Sequence, residues 1–147
     1  MKTTSNKTQN RVSAVVIALT VVMVMAVAAP TPAAAVTVAG LKGSWQAAIV
    51  GQGGCGMGSK LLNFTLDSSG VSTSGTWTAN TASCGSTSIP LTFNITSLNA
   101  DGSGTATAEA GTGVFHYNIQ VNTASNVFNI VEVSDSGNYE AGTAIKQ

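Results

Sequence analysis

From residue 40 to the C-terminus the chain alternates apolar and polar side chains with a period of two, and this rhythm limits its folds more than any other feature. Successive side chains of a strand point to opposite faces, so alternation marks a half-buried strand. Leu62, Phe64 and Leu66 interleave with Asn63 and Thr65. Ile89, Leu91, Phe93 and Ile95 make a second row. Phe115, Tyr117, Ile119 and Val121 make a third, opposite His116, Asn118 and Gln120. No stretch sustains the three- and four-residue apolar spacing of a helix. Thr, Val, Ile, Ser and Gly prevail, and they favour strands and turns.

This pattern predicts eight strands, over 40–50, 60–67, 71–81, 88–98, 104–110, 114–122, 127–133 and 139–147. The seventh is apolar on both faces, which leaves its register open. Pro90 is expected near a strand start or at a bulge, because it cannot donate to a ladder. Short connections make consecutive strands antiparallel neighbours. The expected fold class is all-β, an eight-stranded antiparallel up-and-down (meander) barrel, with a two-sheet sandwich as the alternative. Closure removes the edges that uncharged, Thr-rich strands would offer for aggregation. A barrel of this size is either filled by side chains or holds one small ligand. Ala106, Ala108 and Ala110 in the fifth strand are small enough to leave room inside.

Residues 1–35 read as a cleavable signal peptide. Lys2, Lys7 and Arg11 form a positive start, an apolar run covers 14–29, and Ala33-Ala34-Ala35 supplies small residues for cleavage. The run is shorter than the roughly 20 residues of a spanning helix, so no stable membrane span is expected after cleavage. The remaining domain is 36–147, and the expected location is secreted or periplasmic, by a bacterial-type route.

Cleavage changes the charge. Lys42, Lys60 and Lys146 remain against Asp67, Asp101, Glu109, Glu132, Asp135 and Glu140, a net charge of −3. Three lysines without an arginine neutralise few phosphates, which argues against nucleic-acid binding and against electrostatic attachment to anionic membranes.

Cys55 and Cys84 are the only cysteines. In an exported chain such a pair reads as a disulfide. In an up-and-down order their two loops emerge at the same end of the barrel, so topology and pairing agree. A free thiol pair or a metal site is the rival reading, and neither Cys has a second ligand at metal spacing. No metal and no cofactor are expected.

Gly43-Ser44-Trp45 opens the first strand. On this tripeptide, the strand count and the meander order, the chain resembles the calycin barrels, the lipocalins and their avidin-like relatives. That resemblance implies that Trp45 packs across the closed end with a basic residue near the last strand over it, a place that Lys146 can take. It implies fold more than function.

No catalytic motif stands out, and the chain is not expected to be an enzyme. His116 faces outward by strand parity, and no nucleophile elbow accompanies it. Glu109, Glu132 and Asp135 do not single out a carboxylate pair. Gly51–Gly56 precedes no helix, so it reads as a flexible loop rather than a phosphate cradle. Trp45, Phe64, Trp77, Phe93 and Tyr117 are either plain core or the wall of a cavity for a small apolar or amphipathic molecule. The alternative function is a filled barrel or sandwich that acts on another protein or polymer through its Ser/Thr/Asn-rich surface. The loops at 51–60, 81–87, 111–113 and 134–138 would surround the open end.

Overall fold

The computed structural model describes residues 34–134 and 137–147. The leader reading falls almost wholly outside the described residues, as does Asp135 with the middle of the last predicted turn.

Alternation produces what it predicts. A single turn of 3-10 helix, Val38–Leu41, precedes eight strands: β1 (Gly43–Gly53), β2 (Gly56–Leu66), β3 (Ser72–Thr81), β4 (Gly85–Leu98), β5 (Ser103–Ala110), β6 (Gly113–Val121), β7 (Val127–Glu132) and β8 (Tyr139–Lys146). They form a closed antiparallel barrel in sequence order. The seam is the β1–β8 ladder, which runs from Trp45 opposite Lys146 to Gln52 opposite Tyr139. The barrel therefore holds, and the sandwich does not.

Three local expectations are corrected or completed. The Gly-rich segment is not a flexible loop. β1 and β2 stay in register through Gly53 opposite Gly56, and only Gly54 and Cys55 form the turn. With little side chain to keep them apart, glycine backbones extend this hairpin well beyond residue 50. Pro90 is not at the start of its strand but at a break in the ladder: beyond it β3 and β4 meet again one position out of register, at Val71 opposite Asn94. It lies inside β4 where the ladders change over: Thr76 opposite Pro90 ends the continuous pairing with β3, and Leu91 opposite Ala110 begins that with β5. β7 has a definite register, with Phe128, Ile130 and Glu132 inward.

The half of the interior nearest Gly43 and Lys146 is filled. Phe64 stacks on Phe93 with centroids 4.4 Å apart, and Trp45 lies 4.7 Å from Phe128. Leu41, Leu62, Leu66 and Ile130 close around these rings and are buried. Small residues of β5 face large ones of β6: Ala108 is opposite Phe115 and Ala106 opposite Tyr117. The room left by the alanines is thus mostly taken by aromatic rings.

The 3-10 turn caps this end. The Trp45 indole Nε1 donates to the Leu41 carbonyl at 2.7 Å. Lys146 Nζ donates to the Gly40 carbonyl at 3.0 Å and lies 5.8 Å from the Trp45 ring centroid. The basic residue stands over the tryptophan, as the calycin resemblance implied.

At the opposite end a disulfide joins Cys55, in the β1–β2 turn, to Cys84, in the β3–β4 turn, with Cα atoms 5.5 Å apart. It ties two hairpin tips at the rim and leaves no free cysteine among the described residues.

Candidate functional site

Above the aromatic cluster the barrel opens into a cavity of about 490 Å³. Trp77, Ala79, Ile89, Ala110 and Phe115 form its apolar wall, and Lys60 and Glu140 its polar side. Trp77 and Phe115 lie nearly parallel, with centroids 4.8 Å apart and planes 24° from each other. Glycines supply much of the rest of the lining, so backbone rather than side chain surrounds the opening on the β1–β2 side.

Strand parity brings two charges inside. Lys60 shares a face of β2 with Leu62, Phe64 and Leu66, and its side chain is 10% exposed. Its ammonium is ion-paired with the Glu140 carboxylate, which is 3% exposed. The same nitrogen lies 4.6 Å from the Trp77 centroid and 5.0 Å from that of Phe115. A buried ammonium is tolerable only when paired, and here a carboxylate and two ring faces share the task.

Glu132 and Tyr117 complete the cluster. They are direct cross-strand partners on β7 and β6. Both oxygens of Glu132, the hydroxyl of Tyr117 and Oε2 of Glu140 are buried without a hydrogen-bond partner among the described residues. Burial pushes the Glu132 carboxyl above the usual carboxylate range, and the charge of Glu140 adds to this. The Ser134 hydroxyl and the Lys60 ammonium pull the other way with less effect. Burial, then the charges of Glu140 and Glu132, likewise lifts the Tyr117 phenol above its ordinary value.

The residues singled out from the sequence separate into two groups. Trp77 lines the cavity. Trp45, Phe64 and Phe93 lie in the filled half, within the aromatic cluster around Phe128. Tyr117 bridges the two, 6.3 Å from the Phe93 ring at one end and beside Glu132 at the other. Ile89 and Phe115, already on the inward face by parity, join Trp77 in the wall. In the sequence Lys60, Glu132 and Glu140 stand out only as charges scattered along the chain. The signal that finds them is the same alternation, carried one step further along β2, β7 and β8. His116 is exposed, as parity predicts, and so is Glu109.

A second depression, of about 500 Å³, lies on the outer wall against β4 to β7. Ser97, Asn118, Gln120, Asn129 and Val131 line it, and it is a wide, mixed surface without the enclosure of the mouth. Among the described residues no three His, Cys, Asp or Glu side chains gather closely enough to hold a metal ion, and no helix is long and apolar enough to cross a membrane. Comparison with protein-family models, with curated proteins and with solved structures returned no match.

Proposed function

We propose that this protein is an exported, calycin-like carrier that binds a small apolar or amphipathic molecule in the mouth of its barrel, without catalysing a reaction. One observation carries the reading: a cavity of about 490 Å³ with aromatic and aliphatic walls and a few converging polar groups. Ligand sites have this size and this mixture. The Lys146–Trp45 arrangement at the closed end supports the calycin likeness. The Cys55–Cys84 bridge is consistent with an oxidising compartment outside the cytoplasm.

The direct test is native mass spectrometry of protein purified from its own host. The expected result is a mass above that of the mature chain, corresponding to a retained small molecule and reduced in a Gly53→Leu variant. A Cβ at position 53 would sit 3.0 Å from Glu140 Oε1 and 3.9 Å from Lys60 Nζ, so this leucine fills the mouth. An adduct equally abundant in the variant would move the site elsewhere.

A second reading, an interaction module acting through its outer wall, draws on a different observation. Val50, Ala141 and Val131 are consecutive rung partners across β1, β8 and β7, and both valines are more than half exposed. Under that reading the protein self-associates or captures a partner while the mouth stays empty.

A further inference from the structure

The ligand's polar end can be argued from what the cavity has left unsatisfied, an inference that rests on the mouth being a ligand site. Lys60 faces the cavity and carries three N–H donors. One is used, on Glu140 Oε1, and no other oxygen accepts from this ammonium among the described residues. The ring faces of Trp77 and Phe115 stabilise its charge but do not replace oxygen acceptors.

The unpartnered acceptors are placed differently. Glu140 Oε2 and both oxygens of Glu132 are shut off from solvent. As the side chains stand, these oxygens are closed to a ligand, whereas the Lys60 ammonium faces the cavity.

Charge then discriminates between ligand heads. A cationic head would stand beside a buried ammonium whose partner is already committed. An anionic head would stand beside Glu140 and add a third carboxyl-type group around one lysine. Like charges in a weakly solvated site oppose each other strongly. An uncharged oxygen adds no charge and accepts a free N–H of Lys60, leaving the Lys60–Glu140 pair in place. The parallel rings of Trp77 and Phe115, with Ile89 beside them, suit a flat or hydrocarbon body.

We propose that the mouth selects an electrically neutral amphipathic molecule, which buries a carbonyl or hydroxyl oxygen against the Lys60 ammonium and its hydrocarbon body against Trp77, Ile89 and Phe115. The class is an oxygenated hydrocarbon, rather than a fatty-acid-like anion or an organic amine.

Four probes of matched size test this by calorimetric titration of the mature protein at neutral pH: benzylacetone, butylbenzene, hydrocinnamate and phenylpropylammonium. Benzylacetone binds tightest, by about tenfold over butylbenzene, the effect of one added hydrogen bond. The two charged probes bind more weakly than benzylacetone. Lys60→Met removes the ketone's advantage while butylbenzene still binds. Because that change strands Glu140, the double variant Lys60→Met/Glu140→Met, which replaces the pair with apolar chains, is measured alongside. Tightest binding of hydrocinnamate or phenylpropylammonium would overturn the proposed selectivity yet leave the ligand site standing. A ketone preference that survives in the double variant would also overturn it. Failure of all four probes would remove both this proposal and the reading of the mouth beneath it.

Discussion

Tyr117 and Glu132 face each other across β6 and β7, and neither the phenol nor the carboxyl has a hydrogen-bond partner among the described residues. Burial, and then the neighbouring Glu140 charge, raises the Glu132 carboxyl above its ordinary 4.5. The folded protein therefore keeps a proton that the unfolded chain releases. Its contribution to stability is complete below 4.5 and is lost as pH rises through the folded value. Urea midpoints measured from pH 4 upward, in steps of about one unit, should fall more steeply for wild type than for Glu132→Gln, which has no proton to lose. Parallel curves would show that Glu132 ionises as freely in the fold as outside it.

The acid limb has other owners and the opposite sign. Asp67 Oδ1 accepts from the Ser69 hydroxyl and from the amides of Ser69 and Val71. Asp101 Oδ1 accepts from the hydroxyl and amide of Ser103. These bonds, the serine hydroxyls foremost, hold both carboxyls below their ordinary 3.8. Their contribution is present above 3.8 and lost as pH falls through the lowered values. Asp101→Asn should weaken the pH dependence on the acid side only, read from the same denaturation series.

At the closed end Trp45 matters more than the lysine above it. Trp45→Phe leaves the buried Leu41 carbonyl without its donor, which costs about 1–3 kcal/mol before any loss of packing is counted. Lys146→Met removes a contact 5.8 Å from the ring, worth about 0.5–1 kcal/mol, and a hydrogen bond to the Gly40 carbonyl at an exposed site where water replaces the donor. Equilibrium unfolding in urea of the two variants should rank them in that order.

The rim depends on the disulfide. Cys55 and Cys84 are 29 positions apart, and opening a loop of that length costs roughly 3–4 kcal/mol in the chain-entropy account. The unfolded, unreduced protein should show no free thiol on titration. Cys55→Ala/Cys84→Ala should lower the urea midpoint accordingly while keeping the far-ultraviolet spectrum of a β protein.

Alternation carried the barrel, its strand order and the inward face of Trp77 and Phe115, because period two is imposed on every residue of a half-buried strand. It also placed Cys55 and Cys84 at one end, since up-and-down order fixes which turns are neighbours. The polar half of the site was harder to read. A lysine at position 60 marks the edge of an apolar run, and its natural interpretation is a solvated strand end. Only the glycine-extended β1–β2 hairpin carries the barrel wall past it and turns that edge into an interior. Glu132 was hidden for another reason: β7 is apolar on both faces, so its parity becomes definite only when Tyr117 pairs with it. The aromatic residues Trp45, Phe64 and Phe93 could not be divided from Trp77 by composition. What separates them is distance along the barrel axis, set by the ladder register.

If the mouth, and not the filled half, takes a ligand, methyl and indole NMR during titration with benzylacetone will register it residue by residue. Saturable shifts are expected at Ala79, Ile89, Ala110 and Trp77, with Ala47, Ile130 and Trp45 essentially unmoved. Absence of saturable shifts at the first four, or shifts confined to the outer wall around Val50 and Val131, would contradict a ligand site in the mouth.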